Sequence, residues 1–277
     1  FTDAGGQVFR IILGNDASGK PSLSNATGGI IAKLSVDGAA GSRHFFNTPD
    51  VALITEKVST PFISVSIGSG HRERPLDTSV QDRFYVLKDP DLTNDAPSAL
   101  MINGDADLYD ATANLAGSSD PVVAAQAKAD IAAKKGLYIK FGTGEKSLTD
   151  SITFNNQVLF ATFTPGVSAA ESTCQATQGV SRFYRINIAD ATPALDFDGN
   201  GVISVEDRSR TIAVAGLPPD PVILFPSIRV ITHDDGTKEY KYDGNDGALV
   251  DPIVLIGAVR FNLNTHRQVQ KSWWRQN

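Results

Sequence analysis

The chain has 277 residues and a hydrophobic fraction of 41%, enough for a sizeable core in one large β domain or two ordinary ones. Its net charge of −6 is spread over interspersed charges with no lysine or arginine block, which excludes nucleic acid and anionic membrane surfaces as favoured partners. No apolar run approaches the roughly 18 residues of a membrane-spanning helix, and the single cysteine, Cys174, can close no internal disulfide and has no Cys-x-x-Cys partner or nearby histidine to make it a catalytic thiol.

From Phe1 the chain begins abruptly in FTDAGGQVFRIIL, without the charged, apolar and cleavage regions of a signal peptide; a mature protein or, preferably, a piece of a longer one is expected. Glycine and proline then recur at short intervals. The runs between them are rich in Val, Ile, Phe, Tyr and Thr and predict many short antiparallel strands, at 7–13, 29–36, 61–67, 83–88, 137–141, 151–154, 158–164, 182–188, 222–231, 238–242 and 253–262. Asn155 and Asn156 can take the left-handed positions of a tight turn and predict a hairpin. Between 92 and 135 the pattern changes to a helical insertion. There SSDPVVAAQAKADIAAKKG predicts a helix with Ser119 or Asp120 as N-cap, Pro121 in the first turn, Lys134 and Lys135 in the last, and Gly136 just beyond. Alanine-rich and poor in large apolar side chains, it reads as an exposed packing element.

A weak repeat lies inside the strand pattern. GGQVFRIIL, VQDRFYVLKD and GVSRFYRINI place Phe9, Tyr85 and Tyr184 at the same relative point, and the last two follow apolar runs ending in glycine. That is how one blade of a β-propeller reads. The expected fold class is all-β, a partial propeller of about three blades, too few to close a ring. The missing blades are expected from the same precursor or from another chain.

The stretch with the most specific chemistry is DFDGNGVISVED at 196–207. A twelve-residue calcium loop draws oxygens from positions 1, 3, 5, 7, 9 and 12. These fall on Asp196, Asp198, Asn200, the carbonyl of Val202, Ser204 and Asp207, with Gly201 at the sharp turn and Ile203 as the apolar residue expected to pin the loop to a core. Aspartate at position 12 is shorter than the glutamate of sensor loops, Pro193 argues against an incoming helix, and VEDRSRTIAVAGL reads as a short outgoing one. A single EF-hand-like loop suits bracing better than sensing.

Other candidates are weaker. GSGHRERPLDTSVQDR at 68–83 collects His71, Arg72, Glu73, Arg74, Asp77, Asp82 and Arg83, and its balanced signs favour a self-satisfied ion-pair network over a partner surface. His44, His71, His233 and His266 lack zinc-ligand spacing. GTGEK at 142–146 lacks the full phosphate-loop spacing and reads as a turn. A second calcium site around Asp243, Asn245 and Asp246 is disfavoured by spacing, and Trp273 and Trp274 read as packing anchors.

With these pieces in place the chain resembles the C-terminal propeller domain of PilY-type type IV pilus biogenesis and tip adhesin proteins of Gram-negative bacteria. The resemblance rests on DAGGQVFRI, ISVSIGSGHRERPLDTSVQDRFYVLKDP, GLYIKFGTGEKSLTDSITFNNQVLFATFTPG, SRFYRINI, GLPPDPVIL and the terminal SWWR. It implies that residues 1–277 are the C-terminal part of a quinoprotein-like propeller domain, with 92–135 and 196–207 as insertions. It further implies a non-enzymatic protein of the cell surface or pilus tip, acting with minor pilins in assembly, adhesion and control of retraction, with Ca2+ in the loop and a host or surface receptor as a possible partner. The family's large N-terminal region is absent from this sequence, so adhesive activity residing there does not carry over. Two rivals come from other classes. One is a quinoprotein dehydrogenase, against which stand the lone cysteine and the lack of a recurring tryptophan motif; the other is an extracellular filament subunit joined through an unpaired sheet edge.

Overall fold

The computed structural model describes residues 1–56, 58, 60–92, 102–166, 179–214, 216–226, 228–242 and 251–263. The chain divides into two compact units, Phe1–Asp220 and Pro221–Asn277. In the first unit the apolar, β-branched runs form β1 (Gln7–Asn15), β2 (Pro21–Lys33), β3 (Asp50–Ile54), β4 (Phe62–Gly68), β5 (Arg83–Asp89), β6 (Ile102–Asn103), β7 (Tyr109–Asp110), β8 (Gly136–Lys140), β9 (Lys146–Ser147), β10 (Ile152–Phe154), β11 (Gln157–Thr164), β12 (Val180–Asn187) and β13 (Ser209–Ile212), with α1 (Pro121–Ala133) between β7 and β8. The second unit holds β14 (Val222–Leu224), β15 (Ile228–Thr232), β16 (Lys238–Tyr242), β17 (Ile253–Ile256) and β18 (Val259–Asn262). The protein is mostly sheet with one α-helix among the described residues.

Three sheets organise the first unit, in the strand orders β1-β2-β6, β3-β4-β5-β8-β7 and β10-β11-β12-β13, the last with β9 paired to β11. Pairing is antiparallel apart from β2 with β6 and β7 with β8. In the second unit β14-β17-β18 and β15-β16 form two small sheets. The repeated strands found in the sequence are β1, β5 and β12, one in each large sheet.

Side-chain alternation explains how the large sheets pack. Successive residues of a strand face opposite ways. Phe62, Phe84, Val86, Leu137 and Ile139 of the middle sheet join Val158, Phe160, Tyr184 and Ile186 of the third sheet in one core cluster. Their alternates Val65, Ile67, Tyr85, Leu87 and Tyr138 join Val8, Ile31 and Ala32 of the first sheet in another. The central strands β4, β5 and β8 of the middle sheet are therefore buried on both faces, which is why RFYVLKD reads as a nearly continuous apolar run. Phe160 stacks between Phe84, at 3.7 Å, and Tyr184, at 4.8 Å.

Several boundaries differ from expectation. The α1 N-terminus forms as predicted, with the Asp120 carboxylate accepting from the Val122 N–H at 2.8 Å and Pro121 in the first turn. Its C-terminus comes early: Lys134 is extended, and Lys134 and Lys135 turn out to the Ala106 carbonyl and Asp107. Gly136 begins β8, where a Cβ would lie 2.5 Å from the Val86 carbonyl oxygen; strand packing, not helix capping, requires it. The stretch 222–231 divides into β14 and β15 around Pro226, which lacks the N–H a continuous strand needs, and 253–262 folds back at Gly257, φ 59°. β3 and β13 were not anticipated.

Candidate metal centre

Beyond β12 the chain is held by Asn187, whose amide donates to the Thr192 hydroxyl at 2.8 Å and the Pro193 carbonyl at 3.2 Å. The acidic loop follows. Gly199 and Gly201 have φ of 79° and 85°, and a Cβ at either would meet nothing within 4 Å; left-handed backbone, not crowding, calls for glycine. Inside the turn the Asp196 carboxylate accepts from Gly199, Asn200 and Gly201 N–H at 2.7, 3.2 and 2.7 Å. Asp198 accepts from the Asn200 N–H at 2.9 Å and its side-chain amide at 2.7 Å, while Asn200 Oδ1 accepts from Val202 N–H at 2.7 Å. These short-range bonds curl the backbone around the acidic side chains.

Asp207 closes the loop. Its Oδ1 accepts from Phe197 and Asp198 N–H at 2.7 and 3.1 Å, and its Oδ2 from Ser204 N–H at 2.8 Å. Burial pushes this carboxyl up, but the backbone N–H groups of Ser204, Phe197 and Asp198 more than offset that and hold it below the ordinary aspartate range. Among the described residues, one cluster of metal-ligating side chains brings its ligand atoms within 4.8 Å of one another: Asp196, Asp198 and Asp207. None of the ion pairs of the described residues reaches them. Three carboxylates this close, offered only hydrogen-bond donors, fit a hard divalent cation that prefers oxygen ligands.

The remaining expected ligands belong to the same loop, the Ser204 hydroxyl lying 3.3 Å from Asp207 Oδ2. Asn200 and Val202 are exposed, and the Ser204 hydroxyl donates to the Glu206 carboxylate at 2.7 Å. Ile203 does not pin the loop: it is 57% exposed. That task falls to Phe197, edge-on to the buried Phe183 ring at 6.0 Å, and to Arg208. Nor does an outgoing helix follow the loop; Val205–Arg208 is one 3-10 turn that runs into β13. Asp207 accepting from Ser204 N–H tightens the exit, and pairing of β13 with β12 takes the next residues into the third sheet.

Arg208 is a residue the sequence reading passed over. It is 3% exposed, and its guanidinium donates to the carbonyls of Ala191 at 2.7 Å, Thr112 at 2.9 Å and Ala111 at 2.7 Å and to Asn114 Oδ1 at 3.1 Å. Burial pushes its pKa down to about 10, partly countered by Tyr184 and Asp190. An arginine directly after position 12 of the loop was the one available signal.

The weaker candidates are structural. In GTGEK, Gly144 turns with φ 73°, but the next two residues are core. Lys146 is 1% exposed and donates to the carbonyls of Pro75, Asp77 and Gly144. Glu145 accepts from the Thr162 hydroxyl at 2.6 Å and Tyr184 at 2.8 Å. The loop at 68–83 is not the expected ion-pair network. No ion pair of the described residues joins two of its members; Arg83 pairs with Asp105 outside it, Asp82 accepts from Ser69 Oγ at 2.7 Å and Arg72 reaches the Leu148 carbonyl. Hydroxyls meet Asp77 and Asp82, and a carbonyl meets Arg72, where opposite charges within the loop were expected. His44 and His71 meet edge-on at 4.8 Å, without a third ligand among the described residues. Cys174, Asp243, Asn245, Asp246, His266, Trp273 and Trp274 lie outside the described residues.

No protein-family model matches this chain, and neither does any curated protein. A match does come from the solved structures, to the crystal structure of the C-terminal domain of Pseudomonas aeruginosa PilY1, with a TM-score of 0.53 at 14% identity over 94% of this chain. The two chains share a fold. This chain spans 56% of the length of the PilY1 chain it matches. No helix among the described residues is long and apolar enough to cross a membrane.

Proposed function

We propose that the chain is a calcium-binding, non-enzymatic module of a type IV pilus system, located at the cell surface of a Gram-negative bacterium. The observation that carries this is the carboxylate triad of Asp196, Asp198 and Asp207, drawn within 4.8 Å in a chain with the fold of the PilY1 C-terminal domain. The three large sheets, stacked through the two core clusters, support reading 1–277 as the C-terminal part of a propeller. In that reading 92–135 and 196–207 are insertions, and the remaining blades come from the same precursor or another chain. Partners on this reading are minor pilins at the pilus tip and a surface receptor.

Asp196, Asp198, Asn200, the Val202 carbonyl, Ser204 and Asp207 would hold the ion. Calcium supplies no reaction here; it neutralises carboxylates that otherwise repel one another. With one loop and the short Asp207 at its close, the ion braces the fold. The test is calorimetric titration of calcium into metal-stripped protein, with thermal melts, against the double variant Asp196→Ala, Asp198→Ala. One-site binding that vanishes in the variant is expected, with a stabilisation of about 2.7 kcal/mol at a hundredfold excess over Kd. Neither heat nor a melting shift in the wild type would remove calcium from the proposal.

A further inference from the structure

Next to the acidic loop the third sheet ends, among the described residues, at β13. β13 pairs with β12 on one side, and among the described residues no strand pairs with its other edge. A cleft of about 470 Å³ runs along it, lined by Arg182, Arg210, Phe197, Asp198 and Glu206 together with β13 itself. In the register Arg182 lies opposite Thr211 and Arg210 opposite Phe183. Since alternate residues leave opposite faces, the two arginines flank the edge strand. Neither forms an ion pair with a described residue, and Arg210 and Thr211 are exposed.

We propose that this cleft binds an extended acidic peptide segment of a partner protein, which adds as a strand to β13 and places carboxylates against Arg182 and Arg210, and that a cation in the loop is required. Backbone pairing at an open edge provides affinity without sequence preference, and the charge of the flanking side chains selects the partner. Guanidinium groups match carboxylates in two-point geometry. The cation dependence follows from charge. Asp198 and Glu206 face the same cleft and offset the two arginines, with Asp196 and Asp207 adding negative charge a few residues away. A divalent ion held by the loop cancels part of that charge within a Debye length of the peptide. Linkage then requires the peptide to tighten the ion by the same factor. This inference rests on the calcium reading for its cation dependence.

The experiment follows the fluorescence anisotropy of a labelled short peptide in which pairs of adjacent aspartates alternate with valines, so that carboxylates leave both faces of the added strand, added to the full chain in calcium and in chelator. Controls are the lysine counterpart and the acidic peptide with alternate amide nitrogens methylated. Calcium should tighten the acidic peptide at least about fivefold. The lysine and methylated peptides should not bind. Arg182→Ala with Arg210→Ala should weaken binding about tenfold, with Arg210→Ala alone, at an exposed position, showing part of the loss without a change in melting temperature. Calorimetry on the same samples separates the two readings. A wild type that takes up calcium and ignores the acidic peptide overturns this inference and leaves the calcium module intact. Absence of calcium uptake overturns the cation dependence together with that module. Equal binding of the methylated peptide overturns the strand-addition mode.

Discussion

Asp207 and Arg208 are consecutive and buried, yet they serve different parts of the molecule: the aspartate gathers the N–H groups of the acidic loop, and the arginine gathers carbonyls from 111–112 and Ala191. Closure of the loop is thereby tied to the core through one peptide bond. Arg208→Met should remove the donor to the Ala191 and Thr112 carbonyls and to Asn114 Oδ1, with the Ala111 carbonyl keeping the Asn114 N–H, and cost about 3 kcal/mol. Calcium affinity should fall with it, because the same turn sets the position of Asp207. Arg208→Lys, with one ammonium in place of a planar fork, should be intermediate. Urea unfolding and calcium titration on the same variants test this; loss of stability with unaltered affinity would show the loop to be independent of its anchor.

Phe160 links the middle and third sheets, stacked between Phe84 and Tyr184 and fully buried. Phe160→Ala should cost about 3–5 kcal/mol through lost burial and the cavity left behind. Phe160→Leu should cost less. Because the ring lies on the face of the third sheet that meets the middle sheet, neither change should alter calcium affinity in whatever fraction remains folded. Denaturation midpoints and calorimetry measure the two effects separately.

Much of this was legible in the sequence, and the parts that were not share a cause. Strand positions could be read because glycine, proline and asparagine impose local backbone geometry, and the acidic loop because cation chemistry dictates oxygen spacing. β3 and β13 were missed for lack of a clear local signal: DVALI is short, and SRTI reads as the continuation of a helix until β12 is there to pair with it. The same limit hid Lys146 and Glu145. Nothing in GTGEK shows that three carbonyls, from Pro75, Asp77 and Gly144, will surround the ammonium, or that the carboxylate will meet Thr162 and Tyr184. Contacts between residues distant in the chain decide whether a charged side chain is solvated or buried, and periodicity carries no record of them.

The turn joining β10 and β11 has Asn155 at φ 49° and Asn156 at φ 59°, the pair of left-handed residues that matches the twist of a two-residue hairpin. Replacing both by alanine should cost about 1–2 kcal/mol per residue. Asn156→Gly should be close to neutral, since glycine tolerates the conformation and only the exposed 3.3 Å contact to Glu56 is lost. Thermal melts of the two variants should differ in this order; equal losses would mean that the Asn156 side chain, not its backbone, holds the turn.

Asp82 makes stability depend on pH in the direction opposite to most paired carboxylates. It is 2% exposed. Burial raises its pKa above the ordinary aspartate value of 3.8, only partly countered by the Ser69 hydroxyl and the charges of Lys146 and Arg43. Between the unfolded value and the raised native one, the folded protein binds more protons than the unfolded chain. Its contribution to stability therefore falls as pH rises through that window, and the cost is fully present at neutral pH. Asp82→Asn keeps an oxygen for Ser69 and removes the charge. The variant should compare more favourably with wild type at neutral pH than at a pH below 3.8, so the difference between their urea midpoints should change with pH. A constant offset across the range would mean that Asp82 has the same affinity for its proton in the folded and unfolded chains.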